Sequence, residues 1–108
     1  MPTTSIVVLG TSTPRGEQWL RDQFPSAARV TRGLVLFCEG SELDGVVFAE
    51  ELRLEAQREG IRLSLGVAER PVGLPVRHAV ANATRACDRA HALGGDMTVA
   101  CSAMLRAA

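Results

Sequence analysis

The stretch FAEELRLEAQREGIRLSLGVA, residues 48–68, decides the fold because its hydrophobic period changes in the middle. Apolar residues in its first half recur every three or four positions, which is the period of an amphipathic helix. From Ile61 to Val67 apolar and polar residues alternate, which is the period of a strand with one buried face. The stretch therefore predicts a helix that leads directly into a strand. The buried side of that helix consists of Phe48, Ala49, Leu52 and Ala56.

Upstream of this stretch, helix-start signals alternate with short apolar runs. Thr13 suits the N-cap of a helix whose first position is Pro14 and which stops before Pro25. Ser41, followed three residues later by Asp44, resembles a capping box and predicts that the second helix begins there. That helix runs to about Gly60. Apolar runs predict strands at Ser5–Leu9 and Leu34–Cys38, and a brief strand is expected at Ala28–Thr31.

Downstream, a loop with several prolines and glycines leads to Pro75, where a third helix starts. Gly94-Gly95 ends that helix, and Met97–Cys101 follows as a last strand. The order β-α-β-β-α-β-α-β predicts a single α/β (α+β) domain over residues 1–108. We expect a split βαβ arrangement of the ferredoxin-like kind, a mostly antiparallel sheet with helices on one face. The face of the third helix that meets the sheet consists of Val76, Val80, Ala83, Cys87 and Ala90.

Composition and charge exclude several classes of protein. Twelve basic residues balance twelve acidic ones, so no overall field favours nucleic acid or an anionic membrane surface. No apolar run approaches the length that spans a bilayer. We therefore expect no nucleic-acid partner and no membrane partner.

The cysteines and histidines do not form a recognisable metal motif. Cys38, Cys87 and Cys101 are odd in number and lack ligand spacing, which predicts free, buried, structural thiols in a cytoplasmic protein. His78 and His91 lie on the third helix and are interpreted as part of its exposed polar face. Cys87 and His91, four residues apart, would be half of a metal site with no second half. We expect no metal and no cofactor.

From about Ala28 to Ala100 the chain resembles the later part of a GGDEF domain, the diguanylate cyclase family. Phe48–Arg53 is similar to the family's helix reading roughly AExLR, and Ile61–Ala68 to its strand reading xxSxGVA. Residues Ala83–Cys87 lie near the position of the family's AD-A motif. The resemblance implies a nucleotide-cyclase-like fold and a truncated GGDEF-like domain.

The departures from the family concern its reactive groups. The family's signature loop, which holds phosphates and Mg²⁺, is reduced to Thr31–Gly33. Its other metal-binding Asp, at the end of the first strand, corresponds to Gly10–Ser12, which contains no carboxylate. The inhibitory-site motif Arg-x-x-Asp is not preserved, because Arg21 is followed three residues later by Phe24. The resemblance therefore implies no catalytic residues, and we expect that the protein is not an enzyme of this family.

Three function hypotheses follow. The first is a non-catalytic GGDEF-like signalling domain that acts through a protein partner or as a homodimer, with strand edges and the open sheet face as docking surfaces. The second is a receptor for a guanine nucleotide or cyclic di-GMP, with phosphate contacts at Arg29, Arg32 and Gly33. Thr11–Thr13 would offer an anion site or simply a turn and N-cap. The third, an enzyme of unrelated chemistry, requires a cluster of titratable residues in one pocket.

Overall fold

The computed structural model describes residues 3–30, 33–71 and 73–107, and the statements below concern these residues. They form five strands and four helices. In chain order these are β1 (Thr4–Gly10), α1 (Pro14–Gln23), β2 (Ala28–Val30), β3 (Gly33–Glu39), α2 (Glu42–Arg58), β4 (Ser64–Glu69), α3 (Val76–Ala92), β5 (Met97–Ala100) and α4 (Cys101–Ala107).

The five strands form one sheet in the order β2-β3-β1-β4-β5. β3 is antiparallel to both β1 and β2, and β4 is antiparallel to β1, whereas β4 and β5 are parallel. Because β3 lies between β1 and β2, those two strands run in the same direction. This is the split βαβ arrangement of a ferredoxin-like fold, and it confirms the predicted mostly antiparallel sheet. β2 and β5 are its outer strands.

The helices lie on both faces of the sheet, so the prediction that they share one face was wrong. One hydrophobic core joins Val7 and Leu9 of β1 to α1 and α2, with Leu52 among its members. A second core joins Ile6 and Val8 of the same strand to α3. The continuous apolar run of β1 is thus buried on both sides, as strands covered on two faces require.

The position of α3 has a topological consequence. β4 is antiparallel to β1. The connection from β1 to β2 leads toward one edge of the sheet, and the connection from β4 to β5 leads toward the other edge. Two crossovers of the same hand would therefore place α1 and α3 on the same face. They lie on opposite faces, so the two crossovers differ in hand, although such connections are nearly always right-handed. α2 already covers β4 and β5 on the first face, which leaves the other face for α3.

The local start signals of α1 and α2 are confirmed. The Thr13 side chain accepts a hydrogen bond from the Gly16 amide at 3.1 Å, and Pro14 is the first residue of α1. At α2, Ser41 and Asp44 form a reciprocal capping box, in which the Ser41 amide donates to the Asp44 carboxylate at 2.8 Å.

β1 and β3 extend one residue beyond the predicted strands at each end, and the start of β4 and the end of β5 also differ from the prediction. β4 begins at Ser64 rather than Ile61, because its partner β1 ends at Gly10, which pairs with Ser64. β5 ends at Ala100, and Cys101 begins α4 instead of ending the strand. The amide of Ser102 donates to the carboxylate of Glu42 at 3.2 Å, a contact between residues far apart in sequence that local pattern does not reveal.

The cysteines are less buried than predicted. Only Cys87 is buried, whereas Cys38 and Cys101 are half-buried. All three are free thiols, as predicted. None of the helices in the described part of the chain combines the length and apolar character needed to cross a membrane.

Candidate functional site

The start of β4, the end of β1 and the start of β3 meet at one end of the sheet. Leu9 pairs with Leu34 and Gly10 pairs with Ser64, which places the neighbouring Gly33 beside the end of β1. A cavity of about 220 Å³ opens at this end. It is lined by Ser12, Arg62, Ser64, His91, Gly94, Gly95 and Asp96.

A serine–histidine pair forms the shortest hydrogen bond between lining residues of the cavity. Ser64 is 2% exposed, and its Oγ lies 2.8 Å from Nδ1 of His91. His91 belongs to the last turn of α3, where a basic side chain is favoured by the helix dipole. The hydrogen bond therefore joins the first residue of β4 to the end of the helix that follows it, and places an imidazole beside the cavity.

Arg62 and Asp96 supply the charges of the cavity. The exposed Arg62 guanidinium donates to the carbonyl of Gly94 at 3.2 Å. Asp96 has a φ of 53°, in the left-handed region, and its carboxylate accepts from Nε2 of Gln57 at 3.0 Å. The cavity thus combines one cation, one imidazole and one carboxylate, a set that suits a small polar group.

The carboxylate of Asp96 is anchored from α2. A guanidinium nitrogen of Arg53 lies 3.6 Å from Oδ1 of Asp96, and Arg53 also pairs with Glu50 at 2.5 Å. The hydrogen bond that Arg53 donates to Glu50 raises the pKa of the Arg53 guanidinium, and the nearby carboxylate charges act in the same direction, whereas partial burial acts against them. Asp96 is therefore oriented by α2 and is not free to turn wholly toward a ligand.

Of the predicted phosphate-contact residues, Arg29 and Gly33 lie in β2 and β3 and are not among the residues that line the cavity. Arg29 is exposed on β2 opposite Leu34, and Arg32 lies outside the described residues. A Cβ atom on Gly33 would lie well under 3.0 Å from the carbonyl oxygen of Leu9. Close packing against β1 therefore accounts for the glycine at position 33. Contact of these residues with a ligand stays a prediction.

Two other predicted candidates have local roles. The side chain of Thr13 caps α1, which supports the interpretation of Thr11–Thr13 as a turn with an N-cap. The hydroxyl of Thr11 is buried without a hydrogen-bond partner among the described residues, and the side chain packs directly on Gly16. His78 is exposed near the start of α3, one end of the helix away from His91.

The described residues contain no group of three or more His, Cys, Asp or Glu side chains arranged to hold a metal ion. Cys87 lies on the buried side of α3, and its Sγ donates to the carbonyl oxygen of Ser64 at 3.3 Å. Burial, and secondarily the charge of Asp88, raise the pKa of the Cys87 thiol to about 12. A thiol that stays protonated at neutral pH is a poor metal ligand and a poor nucleophile.

The sequence did not predict the cavity because its lining comes from three separate segments. Ser64 was assigned to a buried strand and His91 to an exposed helix face, and no spacing rule links them. The double glycine followed by Asp96 was the available signal, since such a turn brings a carboxylate back toward the sheet.

No model of a protein family matches this sequence, and no match is found among curated proteins. The fold, however, is that of GGDEF domains in solved structures. A microbial GGDEF domain described in a novel interaction mode with bis-(3′,5′)-cyclic di-GMP superimposes with a TM-score of 0.70 and 15% identity, over 92% of this chain and 77% of that one. The GGDEF domain of DgcB from Caulobacter crescentus, solved with c-di-GMP, gives 0.71 and 17%, over 94% and 79%. The resemblance inferred from residues 28–100 is therefore confirmed at the level of the fold.

Proposed function

We propose that this chain is a non-catalytic GGDEF-like signalling domain that acts through protein contact in the cytoplasm. The observation that carries the proposal is a row of apolar side chains on the solvent side of α2. Leu43, Val47 and Leu54 are 72%, 53% and 48% exposed.

These three side chains form one stripe. At 100° per residue, positions 43, 47 and 54 fall within about 40° of arc. The opposite side of the same helix is buried in the core through Ala49, Leu52 and Ala56. A single exposed leucine is ordinary, but an exposed apolar stripe along a helix that already has a buried face is typical of a surface that binds another helix or groove.

The chemistry at the end of β1 supports a role without catalysis. Metal-assisted phosphoryl transfer needs carboxylates to hold the ions, and the residues that follow β1 are Thr11 and Ser12. Asp96, in the nearby cavity, is committed to Gln57 and Arg53. Purified protein incubated with GTP and Mg²⁺ is expected to form no cyclic dinucleotide, and product formation would overturn this half of the proposal.

The proposed protein contact at the α2 stripe is tested by affinity purification from the native cell with quantitative mass spectrometry. Val47→Glu with Leu54→Glu places two charges in the stripe and is expected to abolish the association of specific proteins. Leu74→Glu is the matched control, because Leu74 is 46% exposed and lies in the loop before α3. If Val47→Glu with Leu54→Glu retains the same set of bound proteins as the wild type, the proposal is wrong.

The cavity supports a second candidate function, a receptor for a guanine nucleotide or cyclic di-GMP. Arg62 and His91, with the hydroxyl of Ser12, offer donors to a phosphate group in a volume of about 220 Å³. The similar solved GGDEF domains contain cyclic di-GMP, which makes that nucleotide the first ligand to try.

A thermal melt with cyclic di-GMP and with GTP, each with and without Mg²⁺, tests the candidate. A ligand at about 100 times its Kd adds roughly 2.7 kcal/mol, which raises Tm by about 10 °C or more in a domain of this size. Arg62→Ala is expected to remove the rise, whereas Arg70→Ala, beyond the other end of β4, retains it. A melting temperature unchanged by every ligand would eliminate this function.

A further inference from the structure

We propose that the partner of the α2 stripe is a second copy of this chain, bound through the outer face of α3, so that copies join head to tail. This inference rests on the proposed function, since it requires the α2 stripe to be a protein-binding surface. Two observations carry it: the opposite charges of α2 and α3, and their positions on opposite faces of the sheet.

Although the chain as a whole has no net charge, α2 and α3 have opposite net charges. α2 contains five acidic residues and two arginines, a net charge of −3. α3 contains three arginines and one aspartate, a net charge of +2 with its histidines neutral. The two helices therefore attract each other between copies, whereas each repels its own kind.

Among the described residues, the charges that border the proposed contact form no ion pairs inside one copy, although the Asp44 carboxylate also accepts from the Ser41 amide in the capping box. In the part of the chain that the structure describes, Asp44, Glu51 and Glu55 form no ion pair. The same holds for Arg77, Arg85 and Arg89 of α3. Arg85 does donate to the side-chain oxygen of Asn82, which is a neutral partner that leaves the guanidinium charge uncompensated.

The α3 surface also offers small residues on which the apolar stripe can pack. Asp44, Glu51 and Glu55 border one side of the apolar stripe, within about 100° of arc from its centre, and the one arginine on that side is Arg58 at the end of α2. On α3, the exposed small residues Ala81 and Ala92 lie among three arginines and Asp88 on the side away from the sheet. Leucine and valine side chains of one copy can thus pack over alanines of the next while carboxylates meet guanidinium groups.

A closed dimer cannot satisfy both surfaces. A two-fold pair of α2 helices would bring Glu51 and Glu55 toward their own copies, and like charges at such a contact are unfavourable. A single α2–α3 contact leaves the other α2 and the other α3 unoccupied, because the two helices cover opposite faces of the sheet. Such a heterologous contact continues into a ring or an open chain of copies.

Sedimentation velocity of the full chain tests the inference, over concentrations up to about 1 mM, a range that detects dissociation constants of that order. We expect assembly beyond the dimer at about 0.1 M salt and weaker assembly at about 1 M, where the Debye length falls from about 10 Å to about 3 Å. Val47→Glu with Leu54→Glu blocks the α2 surface, and Arg85→Glu with Arg89→Glu blocks the α3 surface. Each variant alone is expected to be monomeric, whereas an equal mixture forms a dimer and nothing larger, since each retains one working surface.

A charge-reversal variant distinguishes loss of the contact from misfolding of the variant. Glu51→Arg with Glu55→Arg is expected to prevent assembly, and adding Arg85→Glu with Arg89→Glu to the same chain restores it. A monomeric wild-type protein, or an Arg85→Glu, Arg89→Glu variant that assembles like wild type, would overturn the inference. If the wild-type protein is monomeric but Val47→Glu with Leu54→Glu still loses bound proteins in the affinity purification, the proposed function stands with another partner. If the wild-type protein is monomeric and that variant keeps the same bound proteins, both the inference and the proposed function fail.

Discussion

Gly66 of β4 lies directly beneath the turn of α3 that contains Cys87. A Cβ atom on Gly66 would come well under 3.0 Å from the backbone nitrogen of Cys87 and from the carbonyl oxygen of Ala83. Because both obstacles are backbone atoms of a helix, no side-chain rotation relieves the contact. The glycine therefore fixes how closely α3 approaches the sheet, and with it the position of His91 one turn further along.

We expect Gly66→Ala to lower the free energy of unfolding by about 3 kcal/mol, the upper part of the usual range for overpacking. This corresponds to a fall in Tm of the order of 10 °C, measurable by calorimetry or by urea unfolding. Gly73→Ala is the control, since nothing lies within 4 Å of its Cβ position and only its φ of 81° opposes the change. Equal losses in the two variants would show that α3 is not held by close contact at Gly66.

Cys87 is expected to resist alkylation in the folded protein. Its thiol is buried and its pKa is raised to about 12, so almost no thiolate is present at pH 8. The half-buried Cys38 serves as an internal reference. Mass spectrometry after brief treatment with iodoacetamide should find Cys38 modified and Cys87 intact, and both modified after unfolding. Modification of the two thiols at the same rate in the native protein would contradict the packing of α3.

The same thiol predicts a loss of stability at alkaline pH. The pKa of Cys87 is higher in the folded chain, about 12 against an ordinary value of 9.0. Its contribution is therefore complete below pH 9 and is lost as the pH rises toward 12, because the unfolded chain ionises first. Urea unfolding of wild type and Cys87→Ala, compared at pH 8 and pH 10, should show a steeper decline for wild type. Parallel declines would show that the thiol is not desolvated.

Ser41→Ala is expected to cost about 1 kcal/mol of stability through the N-terminus of α2. The substitution removes the side chain that accepts from the Asp44 amide in the capping box. Asp44→Ala should cost a similar amount, and the double variant less than the sum, since each removes part of one reciprocal motif. Ser26→Ala, in the exposed turn after α1, is the control. Additive losses would indicate that the two side chains act independently.

The sequence predicted the elements whose signals lie within a few residues of each other. Thr13 and Ser41 mark helix starts because their side chains reach amides three residues ahead. The alternation from Ile61 to Val67 identified the strand, although not its first paired residue, because that depends on where β1 ends. The sequence did not predict α4 for a similar reason, since the amide of Ser102 in its first turn donates to Glu42, the first residue of α2.

The sequence alone determined the order of strands and helices as far as β5, the caps, and a likeness to GGDEF domains through residues 48–68, because hydrophobic period and capping are local properties of the chain. Only the tertiary structure decided the face on which α3 lies, because β4 and β5 were already covered by α2 on the other side. That choice brought Ser64 to 2.8 Å from His91 and left α2 and α3 facing solvent in opposite directions. The candidate cavity and both contact surfaces follow from packing between distant segments, and no period or spacing in the sequence contains that information.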